Sequence, residues 1–192
     1  MNAKSMLLAA LLVSAAGPAL AQANVVTAAG TVDTFDGTTI SVKKADGGAV
    51  ESFKLAPNFL VVQNKPATLA DIKPSDFVAS AAMMGMDHKL HSTELRIFPE
   101  AMRGVGEGQR PMNDPQNQTM TNATVTGTAI ASGSNHLKVK FEGGESELVV
   151  DPGIPVTRID VADKSQVKAG VKVALRGTRT ADGASINRIT IQ

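Results

Sequence analysis

Apolar and polar residues alternate with a period of two through most of this chain. Ile40 and Val42 alternate with Ser41 and Lys43. Leu137, Val139 and Phe141 alternate with Lys138, Lys140 and Glu142, and Val171, Val173 and Leu175 with Lys172, Ala174 and Arg176. That period predicts strands with one face buried and one face wet. Asp36-Gly37, Asp46-Gly47-Gly48 and Asp182-Gly183 stand between such runs and predict tight hairpins. Further strands are expected over residues 51–55, 77–83 and 90–98. Residues 68–73 are expected to make one helical turn, capped by Thr68 and stopped by Pro74-Ser75-Asp76.

The pattern occurs twice, about 95 residues apart. Gly30-Thr31-Val32 returns as Gly127-Thr128-Ala129, and Ile40-Ser41-Val42-Lys43 as Leu137-Lys138-Val139-Lys140. Leu69-Ala70-Asp71-Ile72-Lys73-Pro74 is answered by Ser165-Gln166-Val167-Lys168-Ala169-Gly170, and Glu94-Leu95-Arg96-Ile97 by Arg188-Ile189-Thr190-Ile191. Two copies are too few for a solenoid. The expectation is an all-β protein of two tandem small OB-like Greek-key barrels, because three strands, a short helix and two strands is the OB order. Module 1 is expected over residues 22–98, a Gly/Pro-rich linker over 99–121 and module 2 over 122–192. An SH3-like barrel or a small sandwich has the same strand periodicity. In the linker, Pro99-Glu100-Ala101-Met102-Arg103-Gly104 predicts one helical turn, with proline at its start and glycine past its end.

Residues 1–21 are expected to be a signal peptide. Lys4 precedes a short apolar run over residues 6–16, and Ala19-Leu20-Ala21 offers small residues for cleavage after Ala21. The run is about half the ~20 residues that cross a bilayer, so no membrane span is expected. The expected localisation is periplasmic or secreted. Without Lys4 the basic residues fall from 19 to 18, equal to the 18 acidic ones. Neutral overall charge argues against nucleic acid as a partner. The chain has no cysteine, so each barrel must be held by apolar burial, which is feasible at roughly 70 residues.

The run Ile97-Phe98-Pro99-Glu100-Ala101-Met102-Arg103-Gly104, then Gly106-Glu107-Gly108 and Met120-Thr121-Asn122-Ala123-Thr124-Val125, resembles a family of exported proteobacterial proteins. Both modules are similar to the DUF5666-type β domain, with its Gly-Thr-Val start, Asp-Gly hairpin and lysine–proline–glycine turn. Relatives of this kind often carry the label metal ABC transporter permease, which requires several membrane-spanning helices that this sequence has no apolar run to form. Gln109 stands where such relatives often have histidine, and Ser75 replaces the glycine of the turn. The resemblance implies the fold and brings no activity with it.

One constellation has a chemical flavour. Met83-Met84-Gly85-Met86-Asp87-His88-Lys89-Leu90-His91 falls where the last hairpin of module 1 turns. Thioether sulfur and imidazole suit copper, with Met84, Met86 and His88 on one strand face and His91 closing from across the turn. The competing reading is a buried methionine strand end followed by an exposed turn. Gly104-x-Gly106-x-Gly108 lacks the spacing and lysine of a phosphate loop. His136, in Ser132-Gly133-Ser134-Asn135-His136, reads as turn polarity. Glu100 and Arg103 read as a pair that fixes the linker. The six phenylalanines, Phe35, Phe53, Phe59, Phe77, Phe98 and Phe141, read as core and not as a base-stacking platform.

No nucleophile, base and orienter come together in the sequence, so no catalytic residue and no cofactor are expected. The expected function is a non-enzymatic binding or scaffolding protein, with an unidentified protein or small ligand of the cell envelope as partner. Its surface is expected near the linker, at Met102, Arg103, Glu107 and Arg110. The rivals are a periplasmic copper-binding protein using the methionine–histidine cluster and a carbohydrate-active enzyme whose acids converge only in the fold.

Overall fold

A computed structural model describes residues 25–192 apart from 45–46, 113, 132–133 and 181–182. The expected signal peptide, the Asp46 and Asp182 positions of two hairpins and Ser132-Gly133 lie outside the described residues. The strands are β1 (Val25–Phe35), β2 (Thr39–Lys44), β3 (Val50–Ala67), β4 (Phe77–Met84), β5 (Leu90–Ile97), β6 (Gly108–Pro111), β7 (Thr119–Ala131), β8 (Ser134–Phe141), β9 (Gly144–Val150), β10 (Val156–Val161), β11 (Lys172–Thr180) and β12 (Gly183–Ile191). Single 3-10 turns stand at Leu69–Asp71, Glu100–Met102 and Lys164–Gln166. No helix of the described residues is long and apolar enough to cross a membrane.

The protein is all-β and its strands close into OB-like barrels. One ring runs β1, β2, β3, β12, β11 and back to β1; the other runs β7, β8, β9, β5, β4 and back to β7. In each ring the third and last strands are parallel, β3 with β12 and β9 with β5, and the other pairs are antiparallel. That is the OB arrangement. The ring membership corrects the expectation that residues 22–98 and 122–192 each close on themselves. Each repeat supplies three strands to one barrel and gives its last two to the other. The module boundaries therefore delimit the repeats, not the barrels.

The exchange runs through β3 and β10. β3 spans 18 residues, about 60 Å at ~3.3 Å per residue, where only residues 51–55 were expected to be strand. Its first part pairs with β2; its second part leaves along β10, antiparallel, from Val62↔Val161 to Ala67↔Val156. Leu95 pairs with Val156 and its repeat counterpart Ile189 pairs with Val61. Counting on from those two positions, Asn64 and Ile159 are counterparts, and they face each other in the seam. A local two-fold axis passes between them.

The cores follow the exchange. One holds Ile40, Val42, Phe53 and Val61 from the first repeat with Val173, Leu175, Ile186 and Ile189 from the second. The other holds Val78, Leu90, Leu95 and Ile97 with Val125, Leu137, Val139 and Leu148. Phe53, Phe59 and Phe77 are buried, while Phe35 and Phe141 pack against the two cores. Phe98 stacks on Phe77 with ring centroids 5.7 Å apart.

Main-chain bonding also corrects the register of the repeat in its first strand. Val32 donates to Val171 (2.8 Å) and accepts from Gly170 (2.9 Å); Val125 donates to Asp76 and accepts from Ser75 (both 2.8 Å). The counterpart of Gly30-Thr31-Val32 is thus Ala123-Thr124-Val125, and both strands bulge one or two residues later. Gly30 is needed because an added Cβ would run into the Lys43 carbonyl.

Cutting the linker must therefore leave the halves interlocked. With a protease site placed after Gly104 and cleaved, the two fragments are expected to co-elute at the size of the intact chain and to part only in denaturant. Elution as two separate folded species would contradict the exchange. Ser75 has φ +76° where its counterpart Gly170 has +88°, a left-handed conformation that opposes any Cβ by about 1–2 kcal/mol. Ser75→Gly is expected to raise the unfolding free energy by about 1 kcal/mol in urea titration.

Candidate functional site

The described residues of the linker are tied down at both ends. Its 3-10 turn buries Met102, 2% exposed, against Val62 and Ile159 of the seam, with Leu60 and Phe98 around them. Arg103 clamps that turn, its Nε donating to Glu100 Oε1 (2.7 Å) and its Nη2 to Glu100 Oε2 (2.7 Å) and to the Ser75 carbonyl (2.9 Å). The guanidinium holds the Glu100 carboxyl below its usual range. Further along, Glu107 Oε1 accepts from the Glu142 amide (3.1 Å), and Gln109 Nε2 donates to Thr121 Oγ1 (3.0 Å) and Ser146 Oγ (3.2 Å). Residues 108–111 add β6 to the edge of β7.

Of the four residues expected to form a binding surface, Arg110 alone faces a cleft. Met102 is buried at the seam and is not surface, because it fills the joint where the barrels meet. Arg103 and Glu107 spend their polar atoms on fixing the linker. Arg110 Nη1 donates to the Gly106 carbonyl (2.8 Å), and its side chain lines a trough of about 490 Å³ that crosses the seam.

The trough is built from outward-facing strand positions. Along β11, β12 and β3 the row is Ala174↔Thr190↔Val62, beside Arg176↔Arg188. Along β5, β4 and β7 it is Arg96↔Ala79↔Asn122, beside Glu94↔Ala81↔Met120. Ala79 and Ala174 keep the floor low, and the arginines stand around it. Arg96 Nη2 donates to Glu94 Oε2 at 3.1 Å. Among the described side chains lining the trough, Glu94 has the one carboxylate. Arg96, Arg176, Arg188 and Asn122 were not expected as site residues. Their alternation with Leu95, Leu175 and Ile189 shows that they point outward; it does not show that two outward faces meet.

The methionine–histidine stretch lies at the β4–β5 tip. Met84 is 63% and Met86 101% exposed, the strand ends at Met84, and His88 occupies the turn at φ +59°. Met86 and His88 are therefore off the strand face expected to carry Met84. His91 is on β5, with Nδ1 2.8 Å from Asp151 Oδ2 and Nε2 3.2 Å from Asp87 Oδ1. Both ring nitrogens thus face carboxylates. His136, expected in a turn, is a buried β8 residue bonded through Nδ1 to Glu147 (2.8 Å), which also meets Lys89 (3.4 Å). Among the described residues, no group of three or more histidine, cysteine, aspartate or glutamate side chains is placed to hold a metal ion.

No family model, curated protein or solved structure significantly matches the chain.

Asp151 first and Asp87 second raise the pKa of His91. A raised folded pKa stabilises the native state fully below the ordinary histidine value of ~6.5 and ceases to do so as pH climbs through the folded value. The Asp87 carboxyl lies below its usual range because the Lys89 amide donates to it, so it is charged at pH 5.5. The stability lost in His91→Gln is expected to be larger at pH 5.5 than at pH 8.5 in denaturant titrations. Equal losses would show that the imidazolium contributes nothing.

Proposed function

We propose that this chain is an exported, non-enzymatic binding protein of the cell envelope, and that it takes its ligand in the trough across the seam. The observation that carries the reading is convergence. Strands from both barrels and the linker line a single depression, and polar side chains stand around a floor kept open by Ala79 and Ala174. Binding sites favour such junctions, where a rigid scaffold holds a few polar groups over an apolar floor.

The trough does not have the equipment of a two-carboxylate glycosidase. Such an enzyme needs an acid and a second carboxylate across the scissile bond. Glu94 is the one carboxylate among the described side chains there, and it is paired with Arg96. The DUF5666-like resemblance agrees with this reading on fold and export and adds no ligand.

Filling the floor tests the site. Ala174→Trp, checked for native circular dichroism, sets an indole in the trough. In equilibrium dialysis against the small-molecule fraction of envelope extract, wild-type protein is expected to concentrate a compound that Ala174→Trp does not. Equal retention by both would place the binding surface elsewhere.

A further inference from the structure

We infer that the trough is an oxyanion site, in which Arg176, Arg188 and Arg96 receive the carboxylate or phosphate of a small organic molecule. The inference rests on the trough being the recognition surface and names the ligand's chemistry.

The first observation is a concentration of positive charge that is neutralised only at Arg96, by Glu94. Four of the chain's seven arginines line the trough, although acidic and basic residues nearly balance over the whole sequence. Arg176 and Arg188 sit directly opposite each other on β11 and β12. Like charges in that position oppose strand pairing. Elsewhere some exposed charges are matched, as in Lys44–Glu51 (2.8 Å), Lys65–Asp160 (2.9 Å) and Arg103–Glu100 (2.7 Å). Among the described residues no carboxylate pairs with Arg176 or Arg188. Arg188 is half-buried; burial first, then the Arg176 and Arg96 cations, draw its pKa below the ordinary arginine range. An oxyanion between these guanidiniums relieves the repulsion, and their planar forks match carboxylate and phosphate oxygens two at a time.

The second observation is independent of charge and concerns size. A volume of about 490 Å³ falls in the range of small-molecule sites and exceeds what a single ion fills.

Calorimetric titration tests the inference with glucuronate, glucose 6-phosphate, glucose and inorganic sulfate. The two sugar anions are expected to bind wild-type protein at least about tenfold more tightly than glucose, and more weakly as salt rises. Arg176→Gln/Arg188→Gln is expected to lose about tenfold or more while melting no lower than wild type, since the change removes a repulsion. The single Arg176→Gln, at an exposed position, repeats the test if the double variant does not fold. Inorganic sulfate, too small to fill the trough, is expected to bind more weakly than either sugar anion. Glucose binding as tightly as its anions, sugar anions indifferent to both arginines, or no probe binding at 10 mM would each overturn the inference. Glucose binding that Ala174→Trp abolishes would keep the trough and remove only its anionic character. Sugar-anion binding that Ala174→Trp leaves intact would remove the trough reading itself.

Discussion

The structure depends on the antiparallel seam between the second part of β3 and β10. There each repeat's chain leaves the barrel it has begun and enters the barrel it will finish. Main-chain bonds run along the whole seam, from Val62↔Val161 to Ala67↔Val156. Its even-numbered β3 residues, Leu60 and Val62, meet Ile159 and Met102 outside the barrels, while Phe59 and Val61 point into the first core. With no cysteine to cross-link the barrels, this apolar joint and its main-chain ladder hold them in one arrangement. The trough is the outer surface of that arrangement, so its geometry is no looser than the seam.

The local two-fold symmetry is kept where it closes barrels and broken where it lines the trough. Leu95 and Ile189 are both fully buried, as are Val78 and Val173. By contrast Arg188 answers Glu94, and its cross-strand neighbour Arg176 answers Ala81. One end of the trough thus has two facing cations, and the related end has an acid beside an alanine. The linker crosses on one side only and breaks the symmetry further. Divergence between repeats is concentrated on the face where barrel closure makes no demand, which is where a binding specificity can differ without disturbing either core.

Much of the fold was legible because strand alternation and glycine-bearing turns are local. The β2 and β8 faces, the Pro99–Gly104 turn and the Glu100–Arg103 pair all follow from neighbours a few residues apart. Strand exchange was not legible, since a repeat that closes on itself and one that completes its twin present the same periodicity. The register of β1 against β7 was misread for a related reason: Gly30 answers a close approach of Lys43 and not a shared sequence position, so its glycine has no counterpart at Gly127. Arg110 was recognisable because it lies in the linker. Arg96, Arg176 and Arg188 were hidden as ordinary outward residues, and only the meeting of two barrel exteriors gives them a common purpose. Asn122 belongs to the run that carries the family resemblance, and its unpartnered oxygen is visible only in three dimensions.

The exchange also imposes an order on maturation. The barrel begun by β1 waits for β11 and β12, which come after β9 in the chain, while the barrel nested between them in sequence is complete by β9. Strand pairs separated by most of the chain's length are slow to find each other, and open edges left waiting are prone to pair with other molecules. The inner barrel is thus the natural template, offering β10 as the rail along which β3 docks. A chain interrupted before residue 172 would carry a finished barrel and three strands with nothing to close them.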